Sequence, residues 1–393
     1  MSETSCRHFN GYKPCSKNLV CARGACGFYE SVQTRILVVH LEALGAVLRS
    51  TSLIPAIRRK YPKAQITWVT KSPAHHLLQG LDIDRVLGIG QEDLLRLEAL
   101  QFDVGLIVDK SLVAAGLLMR TQIDKVFGFK ANSAGAIVPA NSEARDLWEL
   151  GLSDHKKFFV NVKSEQQLVH ESMALGPYAR DEYQAQFTYM EMSQVAQRRH
   201  AWSPMGREII GINTGCSAVL PYKKMSVQGQ RELIQEIIKD PRFRGMPVVL
   251  LGGPEDSERN EAIGRGLPVF QSPTTKGIRD GMISVGACSL VFSGDSLGMH
   301  MAIALKKWVV AWFGPTCQQE IDLYSRGAKV LTKAACSPCW KRFCDKPLMC
   351  YDQLDFADVG NALARGLVDT PAVPQPVLEF SDGPSVLSDR ISW

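Results

Sequence analysis

The sequence predicts an α/β protein built from two similar halves, each with a mostly parallel, doubly wound sheet. Short apolar runs rich in β-branched residues alternate with segments of helical periodicity. This alternation occurs twice, and a break rich in Pro and Gly at residues 203–206 separates the two series. The chain has 393 residues, which suits two domains because a single core usually stops growing near about 250–300 residues.

The first series begins with the run ILVVHL, whose continuous apolar character is typical of a buried parallel strand. A helix with apolar positions at Leu53, Ile54 and Ile57 follows it, and Pro62 ends that helix. The predicted strands of this half are 36–41, 66–70, 85–89, 103–109 and 125–129. Between about residues 141 and 202 the sequence becomes more polar and helical.

The second series repeats the pattern after the break. A helix is predicted at 227–240, and another lies between the last two strands. The predicted strands of this half are 208–215, 247–253, 289–295 and 308–314. We therefore divide the chain into a Cys-rich extension, two α/β domains, a Cys-rich motif with a final helix, and a loose tail: 1–33, 34–203, 204–335, 336–370 and 371–393.

Charge and hydropathy exclude some classes of protein. The 45 basic residues face 40 acidic ones, so the formal net charge of +5 does not favour nucleic-acid binding. No apolar stretch approaches the roughly 18 residues that cross a bilayer. The polar N-terminus lacks the apolar core of a signal peptide, so we expect a cytoplasmic protein.

The first strand leads through Glu42, Gly45 and Ala46 into a helix. Such a strand-to-helix turn is the usual ligand-binding edge of an open α/β sheet, although a plain turn is equally compatible with the sequence. Asp109 ends another strand of the same half, where a carboxylate would face the same crevice or cap a helix.

Two segments of the second half have the composition of a phosphate site. Thr214 lies in a short polar turn, followed by Lys223 and Lys224, although a solvated basic turn would look similar. The stretch SGDSLGMH is more informative, because it joins a buried strand to a helix and places small residues and a histidine at the helix start. A lone histidine is usually structural, but His300 shares this turn with Asp295, Ser296 and Gly298, which favours a ligand-facing role.

Eight of the eleven cysteines lie in two groups. The C-terminal group reads CSPCWKRFCDKPLMC and comprises Cys336, Cys339, Cys344 and Cys350. The N-terminal group comprises Cys6, Cys15, Cys21 and Cys26. Disulfides are disfavoured in the cytoplasm, so these spacings favour structural Zn, Fe or an Fe–S centre. Reduced thiols or disulfides that pack a compact loop are the alternative.

Taken together, the segments RILVVHLEALGAVLRSTSLIPAIRRKYP, LLGGPED, SGDSLGMHMAIALKKWVVAWFGPT and CSPCWKRFC resemble family 9 glycosyltransferases, the lipopolysaccharide heptosyltransferase group. The N-terminal CRHFNGYKPC resembles a Cys-bearing extension of one branch of that family. The resemblance implies a GT-B architecture, in which two Rossmann-like domains face a cleft. It also implies an inverting transfer from a nucleotide-sugar, typically ADP-heptose, to a lipid A–core acceptor at the inner membrane surface.

The resemblance also assigns roles to residues. Lys223 or Lys224 would hold the donor phosphates, Glu255 would meet the ribose, and the 295–300 turn would contact the diphosphate and sugar. The family usually has Gly-Asp in the first loop, and that Asp is its expected base, but here the pair is Gly45-Ala46. Leu297 and Gly298 also depart from the family pattern.

Because Ala46 cannot accept a proton, another carboxylate must serve if the protein is active. Asp109 is our first choice and Glu42 our second. The chemistry itself needs no metal, so a metal at the cysteines would be structural and far from the reaction. A non-catalytic protein that binds nucleotide-sugars or glycans is the alternative to an enzyme, and a metal-dependent sensor or assembly protein is a third reading.

Overall fold

The computed structural model describes residues 5–9, 11–12, 15, 17, 21 and 26–369. The predicted tail at 371–393 and part of the N-terminal extension lie outside these residues. Within them the chain forms two six-stranded sheets, each covered by helices on both faces.

The first sheet has the strand order β3-β2-β1-β4-β5-β6. Its strands are β1 (Thr34–Val39), β2 (Ala64–Val69), β3 (Arg85–Leu87), β4 (Gln101–Ile107), β5 (Gln122–Ala131) and β6 (Ile137–Pro139). All pairings are parallel except that of β5 with β6. The helices that accompany this sheet are α1 (Leu44–Ser50), α2 (Leu53–Lys60), α3 (Gln91–Glu98), α4 (Leu112–Arg120), α5 (Arg145–Leu150) and α6 (Glu165–Ser172).

The second sheet has the order β12-β11-β10-β7-β8-β9, and all of its pairings are parallel. Its strands are β7 (Ile210–Asn213), β8 (Val248–Leu251), β9 (Val269–Gln271), β10 (Leu290–Gly294), β11 (Trp308–Phe313) and β12 (Gly327–Leu331). The remaining helices are α7 (Tyr189–Trp202), α8 (Val227–Lys239), α9 (Ser257–Gly264), α10 (Ile278–Ala287), α11 (Leu297–Ala304) and α12 (Phe356–Asp369).

The two sheets share one topology. In each, the first strand of the series lies between its second and fourth strands. The chain therefore adds strands on one side of the first strand and then crosses to the other side, where β4 pairs with β1 and β10 pairs with β7. Ligands of open α/β sheets bind outside the carboxyl ends of strands at this kind of switch point. The fold therefore places one candidate binding edge in each half.

The central strands are buried because both faces are covered. The last four residues of β1 and every residue of β11 are buried, which explains why their sequences are continuous apolar runs. Helix α7 begins with a capping box between Thr188 and Glu191 and packs on α10 of the second half. Arg198 of α7 binds Asp280 of α10 with an Nη2–Oδ1 distance of 2.7 Å. The helix that precedes the predicted boundary at 203 thus contacts the second half, and the boundary itself stays a prediction.

Candidate active site

The two halves meet where α1, which follows β1, packs on α11, which follows β10. The carboxyl ends of these two strands are therefore directed toward the boundary between the halves, which we call the cleft. Gly45, in the first turn of α1, lies against the ring of His300 in α11, and a Cβ at Gly45 would overlap that ring. A glycine is therefore needed here for the close approach of the halves. This contact joins the first loop to the second-half turn that the sequence singled out.

The turn at the start of α11 is held against the end of β7. Asn213 donates through Nδ2 to the Oγ atoms of Ser296, at 2.9 Å, and Ser293, at 3.1 Å. Gly298 leaves no room for a Cβ, which would overlap the Asn213 carboxamide. Ser296 makes no side-chain cap hydrogen bond to α11, so the first amides of this helix are open to an anion.

Charged groups surround this turn. Asp295 lies 3.5 Å from the Lys223 ammonium and 3.7 Å from Nε2 of His300. Burial works to raise the pKa of Asp295, but Lys223, His300 and Arg49 together hold it below the ordinary value. Burial, with Arg49 nearby, lowers the pKa of His300 to about 3, so its imidazole is neutral at pH 7. Its Nδ1 is buried and has no hydrogen-bond partner among the described residues.

The other residues predicted to bind the donor lie in different settings. Thr214 is buried, and its hydroxyl donates to the Leu251 carbonyl at 3.0 Å and contacts Asn260. Leu297 is half-buried and packs against the apolar core beneath the turn. Glu255 is exposed on a short turn, and Lys224 has no hydrogen bond or ion pair within the described part of the chain.

In the first half, Asp109 follows β4 and accepts a hydrogen bond from the amide of Leu41, which follows β1. Burial raises the pKa of Asp109 to about 6, against the Leu41 hydrogen bond, which lowers it. Glu42 is exposed and pairs with Lys71 at 2.6 Å. Ala46 lies in the first turn of α1, which has no acidic residue. Asp109 is therefore the more enclosed of the two predicted carboxylates.

The structure also brings together a group of charged residues that sequence reasoning missed, which we call the cleft charge cluster: Arg49, Lys110, Lys157, Glu165 and Glu320. Arg49 binds Glu165 at 2.5 Å, and Lys157 lies 3.6 Å from Glu320. Burial and then Glu165 raise the pKa of Glu320, whereas Arg49 and Lys110 hold the pKa of Glu165 below its ordinary value against burial.

The cleft charge cluster has no local sequence signal, because its members come from both halves and are spread between residues 49 and 320. One spacing relates a member of the cluster to a residue of the predicted site. Arg49 comes three residues after Ala46, so both lie on one side of α1.

The four C-terminal cysteines line one cavity of about 20 Å³. Burial and then the three other thiols raise the pKa of Cys350 to about 11. Across the described residues, however, no three or more His, Cys, Asp or Glu side chains are arranged to hold a metal ion. The N-terminal cysteines Cys6, Cys15 and Cys21 are free thiols, and the segment that carries them contacts the first sheet through Arg7 and Asp84.

Two similar α/β domains that meet at a cleft are the architecture of the GT-B class of glycosyltransferases. Residues 94–349 match the family model described as glycosyltransferase family 9 (heptosyltransferase). The chain belongs to this family. Both the predicted fold class and the predicted enzyme class are thereby confirmed.

Solved structures share the fold. The glycosyl transferase family 9 protein from Veillonella parvula is 15% identical, with 87% of this chain and 99% of that chain covered and a TM-score of 0.62. The E. coli ADP-heptose lps heptosyltransferase II is 19% identical, with 85% and 98% covered and a TM-score of 0.62.

The dodecameric iron-containing heptosyltransferase TibC of E. coli, in complex with ADP-D-β-D-heptose, is 10% identical, with 85% and 76% covered and a TM-score of 0.51. At these identities the similarities establish the fold alone. No curated protein matches the sequence. No helix among the described residues is long and apolar enough to span a membrane.

Proposed function

We propose that this glycosyltransferase moves a heptose or a related sugar from a nucleotide-sugar, ADP-heptose, to a lipopolysaccharide core or lipid A acceptor, with inversion at the anomeric carbon. The observation that carries the proposal is the turn at the start of α11, where Asp295, His300 and Lys223 surround uncapped amides. Membership of the heptosyltransferase family supports the choice of sugar, as do two proteins of similar structure that are heptosyltransferases.

The second half binds the donor in this proposal. As the bond to the sugar breaks, negative charge gathers on the nucleoside diphosphate. The amides at the start of α11 and the Lys223 ammonium stabilise that charge. Glu255 meets the ribose, and Thr214, Lys224 and the 296–298 backbone complete the donor contacts.

The first half supplies the base. Asp109 takes the proton of the acceptor hydroxyl as this oxygen attacks the anomeric carbon. The hydrogen bond from the Leu41 amide fixes one carboxylate oxygen and leaves the other for the acceptor. A pKa of about 6 keeps the group ionised at pH 7 while it remains more basic than an ordinary aspartate. Glu42 is the second choice, and its ion pair with Lys71 competes with proton transfer.

The acceptor is a lipid-linked glycan at the inner membrane surface, which the enzyme approaches from the cytoplasm. The net charge of +5 is compatible with an anionic surface, and nucleic acid is not a partner.

A structural Zn or Fe, or an Fe–S centre, at the cysteines is a separate proposal. It rests on the residue type, on the C-x₂-C spacing and on the cavity that Cys336, Cys339, Cys344 and Cys350 share. TibC, with the same fold, is described as iron-containing. The N-terminal cysteines are a second proposed set. A metal here would stabilise the fold and take no part in the transfer.

The proposal is tested by incubating the purified protein with ADP-heptose and a lipid A–core acceptor and measuring released ADP and heptosylated product. Product that forms with ADP-heptose but not with UDP-glucose supports the assignment. Calorimetric binding of ADP without any turnover would instead favour a nucleotide-sugar-binding protein.

A further inference from the structure

The cysteine-rich loop, residues 336–350, packs directly on the segment that follows β11. Ser337 donates through Oγ to the Gly314 carbonyl at 2.5 Å. The amides of Cys339 and Trp340 both donate to the Pro315 carbonyl, at 3.1 and 2.9 Å. The loop therefore supports the 314–320 segment.

The 314–320 segment reaches both sides of the cleft. Thr316 hydrogen-bonds to Asp295, in the turn at the start of α11. At its other end, Glu320 lies 3.6 Å from the ammonium of Lys157, and Gln319 donates to the Lys157 carbonyl at 3.0 Å. Lys157 belongs to the first half, in a turn at Lys156–Val160, so this segment is a bridge between the halves.

Trp340 adds a second contact to Lys157 from the cysteine-rich loop. The Lys157 ammonium lies 3.7 Å from the centre of the Trp340 ring, which is a close cation–π contact. The indole N–H points to Cys317 Sγ at 3.4 Å. Trp340 has a φ of 52°, which is rare for a bulky residue, so the contacts around it must maintain this conformation.

Lys157 lies close to other charged residues of the first half. Its charge acts on Lys110 and Glu165, which belong to the cleft charge cluster with Arg49. Its side chain is 24% exposed, so Lys157 is not sealed inside the protein. Trp340 and Glu320 of the second half thus contact a cation of the first half, which belongs to the same charge cluster as Lys110, the residue after Asp109.

We propose that Trp340 is a positioning residue, which holds Lys157 over the cleft so that the Lys157 ammonium contacts the acceptor. The inference rests on the proposed function, because it assigns Lys157 to the acceptor of that same reaction. A cation–π contact of this kind corresponds to roughly 2- to 30-fold in binding. It also gives the cysteine-rich loop a role next to the transfer site.

The test is a double-mutant cycle on the full-length protein with saturating donor. Trp340→Leu should raise the acceptor KM roughly 2- to 30-fold, while ADP affinity by calorimetry changes less than about twofold. Trp340→Phe keeps a ring face and should restore most of the affinity. Lys157→Gln should match Trp340→Leu, and the double variant should be no worse than Lys157→Gln alone, because both changes remove one interaction.

The proposal is overturned if the two single effects multiply in the double variant, or if Trp340→Phe is as impaired as Trp340→Leu. An equal loss of ADP affinity would also overturn it, since that indicates a general disturbance of the cleft. Trp340→Gln replaces Trp340→Leu in the cycle if the latter does not fold.

Absence of any transfer by the wild-type protein would be a failure of the proposed function and not of the contact. The same cycle is then measured in melting temperature. Shifts that fail to add support the Trp340–Lys157 coupling, and shifts that add exclude it.

Discussion

The two switch-point edges of this protein have the same strand order but are built in different ways. At the second-half edge, Asn213, Ser293 and Ser296 hydrogen-bond to one another and fix the start of α11. At the first-half edge, Asp109 has one fixed oxygen, and the charges that act on it belong to Glu42 and Lys71 from other segments and to the adjacent Lys110. The amides at the start of α11 come from one stretch of sequence that a single distant residue, Asn213, holds in place. The pKa of Asp109, in contrast, depends on burial by the whole first half.

The two edges also differ in how their surroundings shift the pKa of a carboxylate. Asp295 lies between Lys223 and His300, and its pKa is held low, which suits a carboxylate that stays ionised beside the donor. Burial dominates at Asp109 and raises the pKa, which suits a group that must accept a proton. The predictions below separate these two roles.

The largest effect is expected at Asp109. Asp109→Asn should lower turnover roughly 10²- to 10⁴-fold, because a general base typically contributes that much, with ADP affinity nearly unchanged. Since only the ionised carboxylate accepts a proton, wild-type turnover should fall as the pH drops below about 6. The variant's residual activity should lack this dependence. Steady-state rates across pH provide the measurement.

Glu42→Gln is the matched control, because Glu42 lies in the same half but is exposed and bound to Lys71. Its turnover should stay close to that of the wild type. If Asp109→Asn retains full activity and Glu42→Gln does not, the two assignments are reversed.

Substitutions in the turn at residues 293–300 should weaken ADP binding more than they lower turnover. Asp295→Ala and His300→Ala should each weaken ADP affinity roughly 10- to 100-fold. Asp295 positions Lys223 beside the turn, and His300 lies in the turn itself. Calorimetry with ADP measures this, and circular dichroism checks the fold. Glu258→Ala, an exposed change on α9, is the control. Unchanged affinity in both turn variants would remove the turn from the donor site.

A smaller effect, on stability alone, is expected at the cysteines. Protein purified without added metal should contain near-stoichiometric Zn or Fe, and Cys339→Ser should lose it. The melting temperature should then fall by several degrees, because about 1 kcal/mol corresponds to roughly 2–4 °C in domains of this size. Cys216→Ser, outside both cysteine groups, should keep the metal. Metal-free wild-type protein would rule out this proposal.

The smallest effect is expected at Ala46. Ala46→Asp adds a negative charge to the first turn of α1, which has no acidic residue, and places it three residues before Arg49. The free energy of unfolding should rise by roughly 0.3–1 kcal/mol, as for other carboxylates at helix N-termini. Urea denaturation measures the change. A loss of more than about 1 kcal/mol would mean that the half-buried site has no room for the carboxylate.

Much of the architecture could be read from patterns that are local in the chain. The predicted strands at 36–41, 289–295 and 308–314 overlap β1, β10 and β11, because a strand buried on both faces needs a continuous apolar run. The short strands β6, β9 and β12 were not predicted. β6 and β9 contain no buried residue and β12 contains one, and pairing with a neighbouring strand, more than residue type, decides their conformation.

The sequence by itself determined the two α/β halves and the turn at 293–300, since strand burial and helix-start amides depend on neighbouring residues. Only the tertiary structure decided that Arg49 meets Glu165, that Lys157 lies between Glu320 and Trp340, and that the cysteine-rich loop adjoins the cleft. Electrostatic interactions and burial depend on distance in space, and these residues are separated by more than 100 positions along the chain. Folding alone makes them neighbours.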